Sequence, residues 1–493
     1  MANQTGDPER RASLALLVVL LAAAALRLIG LDHQSYWIDE YASLVMAYDG
    51  LFSGFEKVRA DVHPPLYFSL LHFWIRAFGD AEATVRLLSV LPSVLLVACV
   101  YRLGKKLYGT GSGLIAAILS ATSLLQIYYA QEARSYAWLM LFVVLSYDAL
   151  LRWQIAGRPK HLVLYAIFTT AILYTHYFGL FVVAAQAIYV LFVAISGYRR
   201  GRWGGWALAL VAVALCASFW VPSFLDQFGR VQQNFWIGKP ASNALLMVPT
   251  LFASWWGPWS GNSAGGAWAA PLGATIFAFF AIALTAGAVG RSRSSAQNHG
   301  SVPVWEATLM LSVWLFVPTI VALQLSAMDI EVFSYRNTLV SAPALLLIAA
   351  AVCARLRQPV ARALLLAALV APSLAQMPRY YEDLHKDHWR QAAAYVAPDF
   401  NPDTDAFVFD APFVRQVFHF YAALPRYRVI PLSPEDTFSD NRIWLVRAYA
   451  GPRSRSPEIM TEWGYDQSAR WEGKNVEVFL FTRQTPSATA PAE

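Results

Sequence analysis

Residues 37–66 read WIDEYASLVMAYDGLFSGFEKVRADVHPPL, and the meaning of the whole chain turns on this stretch. Asp39 and Glu40 are adjacent carboxylates, Asp61 stands two residues before His63, and Pro64-Pro65 follows at once. It comes directly after an apolar run, about Ala12 to Leu31, that is long enough for a membrane span. In the plain reading, Asp39 and Glu40 cap a short surface helix, because acids favour first turns. In the functional reading, acids and an imidazole are gathered where a lipid-facing chain would otherwise avoid them.

Composition favours the membrane setting. Of the 493 residues 57% are hydrophobic and 14% charged, where a soluble chain carries about 25% charged residues. The net charge of +6 does not indicate nucleic acid, because Lys and Arg occupy short loops between apolar runs. Cys99, Cys216 and Cys353 lie inside such runs and read as small buried hydrophobes. The first run lacks a small-residue cleavage pattern and reads as an uncleaved span.

Arg10-Arg11 before the first run puts the N-terminus in the cytoplasm, so residues 37–66 face outward. Asp39 to Tyr48 is expected to form a short amphipathic helix. Residues 65–79 are apolar and helical, but at about 1.5 Å per residue they fall short of a 30 Å core. Read as an interfacial helix, they let the next span, 84–106, end with Arg102, Lys105 and Lys106 inside. Further spans follow at 111–128, 134–152, 161–178, 179–196, 205–222, 268–290, 303–325, 337–354 and 361–377, about eleven in all. Residues 244–267, with Trp255, Trp256 and Trp259, read as an outer hairpin or re-entrant piece.

From 378 the composition becomes that of a soluble domain. Helices are expected at 388–396, 414–423 and 457–463, and strands at 406–409, 428–431, 443–447 and 476–482. The expected architecture is therefore a polytopic α-helical membrane domain over 1–377, with short outer-face interfacial helices in its first outer loop. A small extracytoplasmic α/β domain covers 378–484 and a disordered tail 485–493.

This topology gathers polar groups on the outer face. Gln131-Glu132-Ala133-Arg134-Ser135-Tyr136 stands at one junction between spans, Tyr174-Thr175-His176-Tyr177 at the next, and Asp329 to Arg336 at a later one. Each has a bland alternative: Glu132 and Arg134 an interfacial pair, His176 a hydrogen-bonded imidazole, Arg336 a topological anchor. Their convergence on one face favours an active site. His63, Asp61 and His176 offer mixed ligands for a divalent metal, but without a zinc-protease spacing. No nucleotide-binding glycine motif is present.

The Asp39-Glu40 pair, Asp61-x-His63-Pro64-Pro65-Leu66, Gln131-Glu132-Ala133-Arg134-x-Tyr136 and Tyr174-Thr175-His176-Tyr177 resemble elements of the C-type glycosyltransferases. The resemblance is to glycosyltransferase family 39 and its bacterial relatives, which include protein O-mannosyltransferases and aminoarabinose transferases. It covers roughly the first 200 residues, with weaker support at Tyr335-Arg336. It implies a polyprenyl-phosphate-linked sugar donor, a lipid, glycan or protein acceptor outside the cytoplasm, a plasma-membrane location, and Asp39 as the catalytic carboxylate with Glu40 beside it. Aminoarabinose-type relatives carry an arginine shortly after the acidic pair and Glu-Lys before the prolines. This chain has Ser43 and Val62-His63 there, closer to the mannosyltransferase branch.

In that setting Asp39 is expected to act as base on the acceptor hydroxyl. Arg134, Arg336 and His63 would meet the donor phosphate, and Tyr136, Glu132 and His176 the sugar or acceptor. Asp61 and His63 are the candidate ligands of a divalent ion. Two other classes stay open: a lipid flippase or transporter, and an assembly factor that binds envelope glycans or proteins.

Overall fold

The computed structural model describes residues 8–199, 201–233, 302–330, 332–424, 427–431, 440–449 and 455–483. The expectations for 244–267, 268–290 and the tail from 485 lie outside these residues. By its contacts the chain divides into two units, Met1–Leu31 with Ser43–Arg379, and Asp32–Ala42 with Tyr380–Glu493.

The first unit is helical. In chain order its helices are α1 (Pro8–Leu28), α2 (Ile38–Tyr48, whose first turn belongs to the other unit), α3 (Leu51–Ala60), α4 (Leu66–Phe78), α5 (Glu82–Tyr108) and α6 (Thr110–Thr122). Then come α7 (Leu124–Ala130), α8 (Tyr136–Ala156), α9 (Pro159–Thr175), α10 (Gly179–Ile195), α11 (Arg202–Ser218) and α12 (Val221–Gln233). α13 (Val304–Ala327), a 3-10 segment (Tyr335–Ser341), α14 (Ala342–Arg355) and α15 (Pro359–Glu382) complete the series. Among the described residues six helices are long and apolar enough to cross a membrane, or eight if two bent pairs each count as one. The protein is a multi-pass membrane protein. Leu14, Leu17, Val18 and Leu21 of α1 are exposed, as an outward face bathed in acyl chains requires.

α4 has 13 residues, about 20 Å of helix, and is too short to span. The expected span at 111–128 is instead two helices, α6 and α7, bent by 58°. The break is at Ser123, whose hydroxyl accepts the Gln126 N–H and starts the second helix. Arg27, fully buried at the end of α1, donates to the carbonyls of Ser120 at 3.0 Å and Ala121 at 3.0 Å, and to the Ser93 hydroxyl at 2.8 Å. It thereby satisfies the last-turn carbonyls that the bend releases. Likewise the run at 205–222 is not one straight helix; α11 turns by 67° into the next helix.

The second unit carries a five-stranded sheet in the order β2-β1-β3-β5-β4. Its strands are β1 (Asp405–Phe409), β2 (Arg428–Ile430), β3 (Arg442–Ala448), β4 (Tyr465–Gly473) and β5 (Val476–Arg483). β1 pairs parallel with both β2 and β3, while β5 pairs antiparallel with β3 and β4. Helices α16 (Trp389–Val396), α17 (Pro412–Tyr421) and α18 (Ser456–Glu462) flank it. Alternation divides the strands' apolar residues between two cores. Phe407, Trp444, Val446 and Val478 pack with α16 and α17, while Val408, Ile443, Leu445 and Phe479 pack with Met460 of α18. β4 is the one strand that the sequence pattern misses. It lies at the sheet edge, and YDQSARWEG buries little beyond Tyr465, so it lacks the apolar alternation of a half-buried strand.

Arg27→Leu should leave two buried carbonyls without donors, at about 1–3 kcal/mol each. A lower melting temperature of the purified protein in detergent is expected; an unchanged one would show that the α6–α7 bend does not need this cap.

Candidate active site

The acidic pair stands on the first turn of α2, and both acids belong to the second unit together with their partners there. Trp37 precedes the helix. Its N–H donates to Glu40 Oε2 at 3.4 Å, the half of a capping box in which the third helical residue reaches back. Glu40 Oε1 lies 3.0 Å from Lys386 Nζ, and the two side chains are 0% and 4% exposed. The neighbouring Asp387 supplies an acceptor to the same turn. Its Oδ2 takes the Ile38 N–H at 3.0 Å, Trp389 Nε1–H at 3.2 Å and the Tyr449 hydroxyl, and its Oδ1 takes Asn475 Nδ2–H at 2.9 Å. Burial raises the Asp387 carboxyl above its ordinary value, against the pull of these hydrogen bonds. Ile38 and Tyr41 pack on the same core as α16 and α17.

Tyr449 has φ 54°, a left-handed conformation that costs a non-glycine residue about 1–3 kcal/mol and clusters at functional sites. Its phenol is raised above the usual range by burial and by the charge of Asp387, with Asp39 contributing.

The remaining candidates gather in the first unit. His63 follows α3, and its Nδ1 lies 2.6 Å from Asp61 Oδ2 while its Nε2 lies 2.9 Å from Arg134 Nη2. A guanidinium can only donate, so Nε2 accepts and Nδ1 carries the proton given to Asp61. Arg134 is 5% exposed, and its Nη1 donates to the Ser43 hydroxyl at 3.3 Å. Burial works against the Asp61 charge, but the hydrogen bond from His63 and the positive charge of Arg134 prevail, and its carboxyl is held below the ordinary value.

The His176 ring lies 6.4 Å from that of His63 and 5.9 Å from that of Tyr136. Its Nδ1 accepts the Phe178 N–H at 3.2 Å, which leaves the proton on Nε2. Arg336, at 9% exposure, acts electrostatically on His176 together with Arg134. Glu132 is buried beside Arg134 in the turn between α7 and α8. Gln131 of that turn donates to the carbonyls of Arg27 at 3.1 Å and Ile29 at 2.8 Å, closing the end of α1. The structure therefore brings Asp61, His63, Arg134, Tyr136, His176 and Arg336 together.

Both ring nitrogens of His63 are engaged, and a cation at Nε2 would have to displace the Arg134 guanidinium. Among the described residues no group of three or more His, Cys, Asp or Glu side chains is arranged to hold a metal. Asp61 and His63 in this arrangement do not fit a divalent ion.

Several residues here carry no local sequence signal. Ser43 meets Arg134 through the turn of a helix. Gln227 of α12 donates to the Val58 carbonyl at 2.8 Å and accepts the Tyr177 hydroxyl, so a helix outside every motif holds the backbone just before Asp61. Lys386, Asp387 and Tyr449 lie more than 300 residues from the turn that they support, beyond the reach of any spacing rule.

Residues 62–221 match the family described as dolichyl-phosphate-mannose-protein mannosyltransferase, a match that contains His63, Arg134 and His176. ArnT from Cupriavidus metallidurans, bound to undecaprenyl phosphate, superposes with a TM-score of 0.61 at 12% identity, covering 96% of this chain and 98% of that one. The fold is that of a C-type glycosyltransferase. The archaeal oligosaccharyltransferase AglB from Archaeoglobus fulgidus, in complex with an inhibitory peptide and a dolichol-phosphate, shares this C-type fold. There the TM-score is 0.53 at 11% identity, over 97% of this chain and 75% of that one. No curated protein matches the chain by sequence. The C-type fold expected from the acidic pair and the His-Pro-Pro element is the fold observed.

Two outcomes check this geometry. Lys386→Met should destabilise the protein by about 3–5 kcal/mol, the cost of stranding a buried partner. Adding Glu40→Gln should cost less than the sum of the single changes; additive losses in melting temperature would mean that the pair is not coupled. Asp61 has a depressed native pKa, so its stabilising contribution is complete above about pH 4, the unfolded value, and is lost as pH falls through the native one. Thermal unfolding of Asp61→Asn should therefore fall below the parent at pH 7 and converge with it at the acid end; parallel curves would contradict the Asp61–His63–Arg134 arrangement.

Proposed function

We propose that the protein transfers a sugar, mannose or a related hexose or pentose, from a polyprenyl-phosphate donor to an acceptor outside the cytoplasm. The observation that carries this reading is Arg134: a buried guanidinium inside a membrane bundle, oriented through one nitrogen by His63 and through another by Ser43. Desolvated and fixed, such a cation is suited to a phosphate group. The likeness to ArnT, whose structure holds undecaprenyl phosphate, supports the same ligand class here.

In this reading Arg134, Arg336 and His63 meet the donor phosphate, and Asp61 holds the His63 tautomer that keeps Nε2 toward Arg134. Tyr136, Glu132 and His176 contribute to the sugar or acceptor pocket. Asp39 takes the proton of the acceptor hydroxyl as its oxygen attacks the anomeric carbon. The carbon–oxygen bond to phosphate breaks, and polyprenyl phosphate leaves with the negative charge. Glu40, locked to Lys386, fixes the turn that carries Asp39. The bias of Lys and Arg toward one set of loops supports a plasma-membrane orientation with this chemistry and the α/β unit on the outside.

Deletion of the protein should remove one glycosylated envelope species in mass analysis, and restoring the chain should return it. Asp39→Asn should lower release of polyprenyl phosphate in the host's own membranes by about 100-fold or more. Full release by that variant would rule out the base, and an unchanged envelope after deletion would rule out the transferase reading.

A further inference from the structure

The strand order of the second unit creates a topological switch point that the transfer chemistry does not account for. From β1 the chain passes through α17 to β2 on one side, whereas from its parallel neighbour β3 it passes through α18 to β4 at the opposite edge of the sheet. Where two parallel strands send their connections to opposite sides, their carboxyl ends part and leave a ligand-binding cleft. Asp410 is the first residue after β1, and Tyr449 the first after β3. Asp410 Oδ1 is buried without a hydrogen-bond partner. Burial pushes its carboxyl up to about 6, opposed by the Ala448 backbone and by Arg447.

Beside it stands an aromatic pair. Phe413, in the first turn of α17, and Tyr449 are 37% and 43% exposed, with ring centroids 6.4 Å apart. Among the described residues of this unit they are the two large apolar side chains left in the open. The Tyr449 hydroxyl donates to Asp387, which also receives the α2 N-terminus, and the Asp39 charge acts on the phenol. The switch point therefore lies beside the turn that carries the proposed base.

A carboxylate with spare acceptor capacity and an exposed aromatic pair are complementary to one common chemistry. A sugar ring offers hydroxyl hydrogens at its edge and a C–H surface that packs on aromatic rings. We propose that the cleft between the ends of β1 and β3 is the acceptor site, and that it takes a carbohydrate-bearing acceptor. Asp410 receives the hydroxyls and the Phe413–Tyr449 pair supports the ring face. This assignment rests on the reading of Asp39 as the base, and it gives the α/β unit a direct part in choosing what is glycosylated.

The test uses the full chain in lipid nanodiscs and saturation-transfer NMR with methyl glycosides of mannose, galactose, glucose and arabinose. At least one glycoside should show transfer, and Asp410→Asn and Phe413→Ala should each weaken its binding roughly tenfold. Phe413→Leu, which keeps the bulk and removes the ring, serves should the alanine variant fail to fold, with melting temperatures matched between variants. Asp39→Asn should retain the signal. No transfer from any glycoside, an unchanged signal in the Asp410 and Phe413 variants, or displacement of the glycoside by an unglycosylated serine- and threonine-containing peptide with higher affinity would overturn the proposal. The outcome is separable from the base assignment: full polyprenyl phosphate release by Asp39→Asn removes the base, whereas the glycoside signal decides the cleft.

Discussion

Glu40 and Lys386 form an ion pair with almost no access to water, and Asp387 beside it accepts the Ile38 N–H from a residue 349 positions away. Burying two opposite charges repays its desolvation only when the geometry is good and further hydrogen bonds complete it. Here Glu40 also accepts the Trp37 N–H, and Asp387 is held by Trp389, Tyr449 and Asn475. The result is a turn that cannot drift. Asp39, the carboxylate proposed as the base, would on a short helix otherwise sample several orientations, and chemistry that depends on near-attack geometry loses rate steeply with misplacement. The buried pair contributes specificity of position more than net stability.

Arg134 is organised by the same logic with different parts. Its neighbours His63 and Ser43 are neutral groups that orient the guanidinium without adding an opposite charge of their own. Asp61 stands behind His63 and sets its tautomer. Charge is placed, then aimed, by residues that lie one step back from it. Gln227 and Gln131 extend this support to the surrounding backbone: one holds the carbonyls ahead of Asp61, the other closes α1.

Much of this was legible in the sequence, and the boundary is physical. Long apolar runs announce spans because the bilayer demands about 20 residues, and α5, α8, α13 and α15 stand close to where hydropathy puts them. Asp61, His63, Arg134, His176 and Arg336 are readable as candidates because ionisable groups within or at the membrane edge of spans are costly and so stand out. Their pairing was not, since the Nε2–Nη2 contact joins residues 71 positions apart. The bends at Ser123 and after Ser218 escape hydropathy because serine and small residues interrupt an apolar run without changing its average. β4 escapes because an edge strand needs no buried face, and Lys386 and Asp387 because a charged pair in a loop looks like any solvated loop until its partner is known.

The buried position of Arg27 has a consequence for how the chain is made. Its acceptors, the carbonyls of Ser120 and Ala121, are synthesised more than 90 residues later. Until they emerge, the guanidinium of α1 has the Ala23 carbonyl of its own helix, later the Ser93 hydroxyl, and otherwise head-group water toward which arginines near helix ends stretch. Complete satisfaction of Arg27 therefore waits for α6, which ties the final packing of the first helix to a helix made much later in the chain.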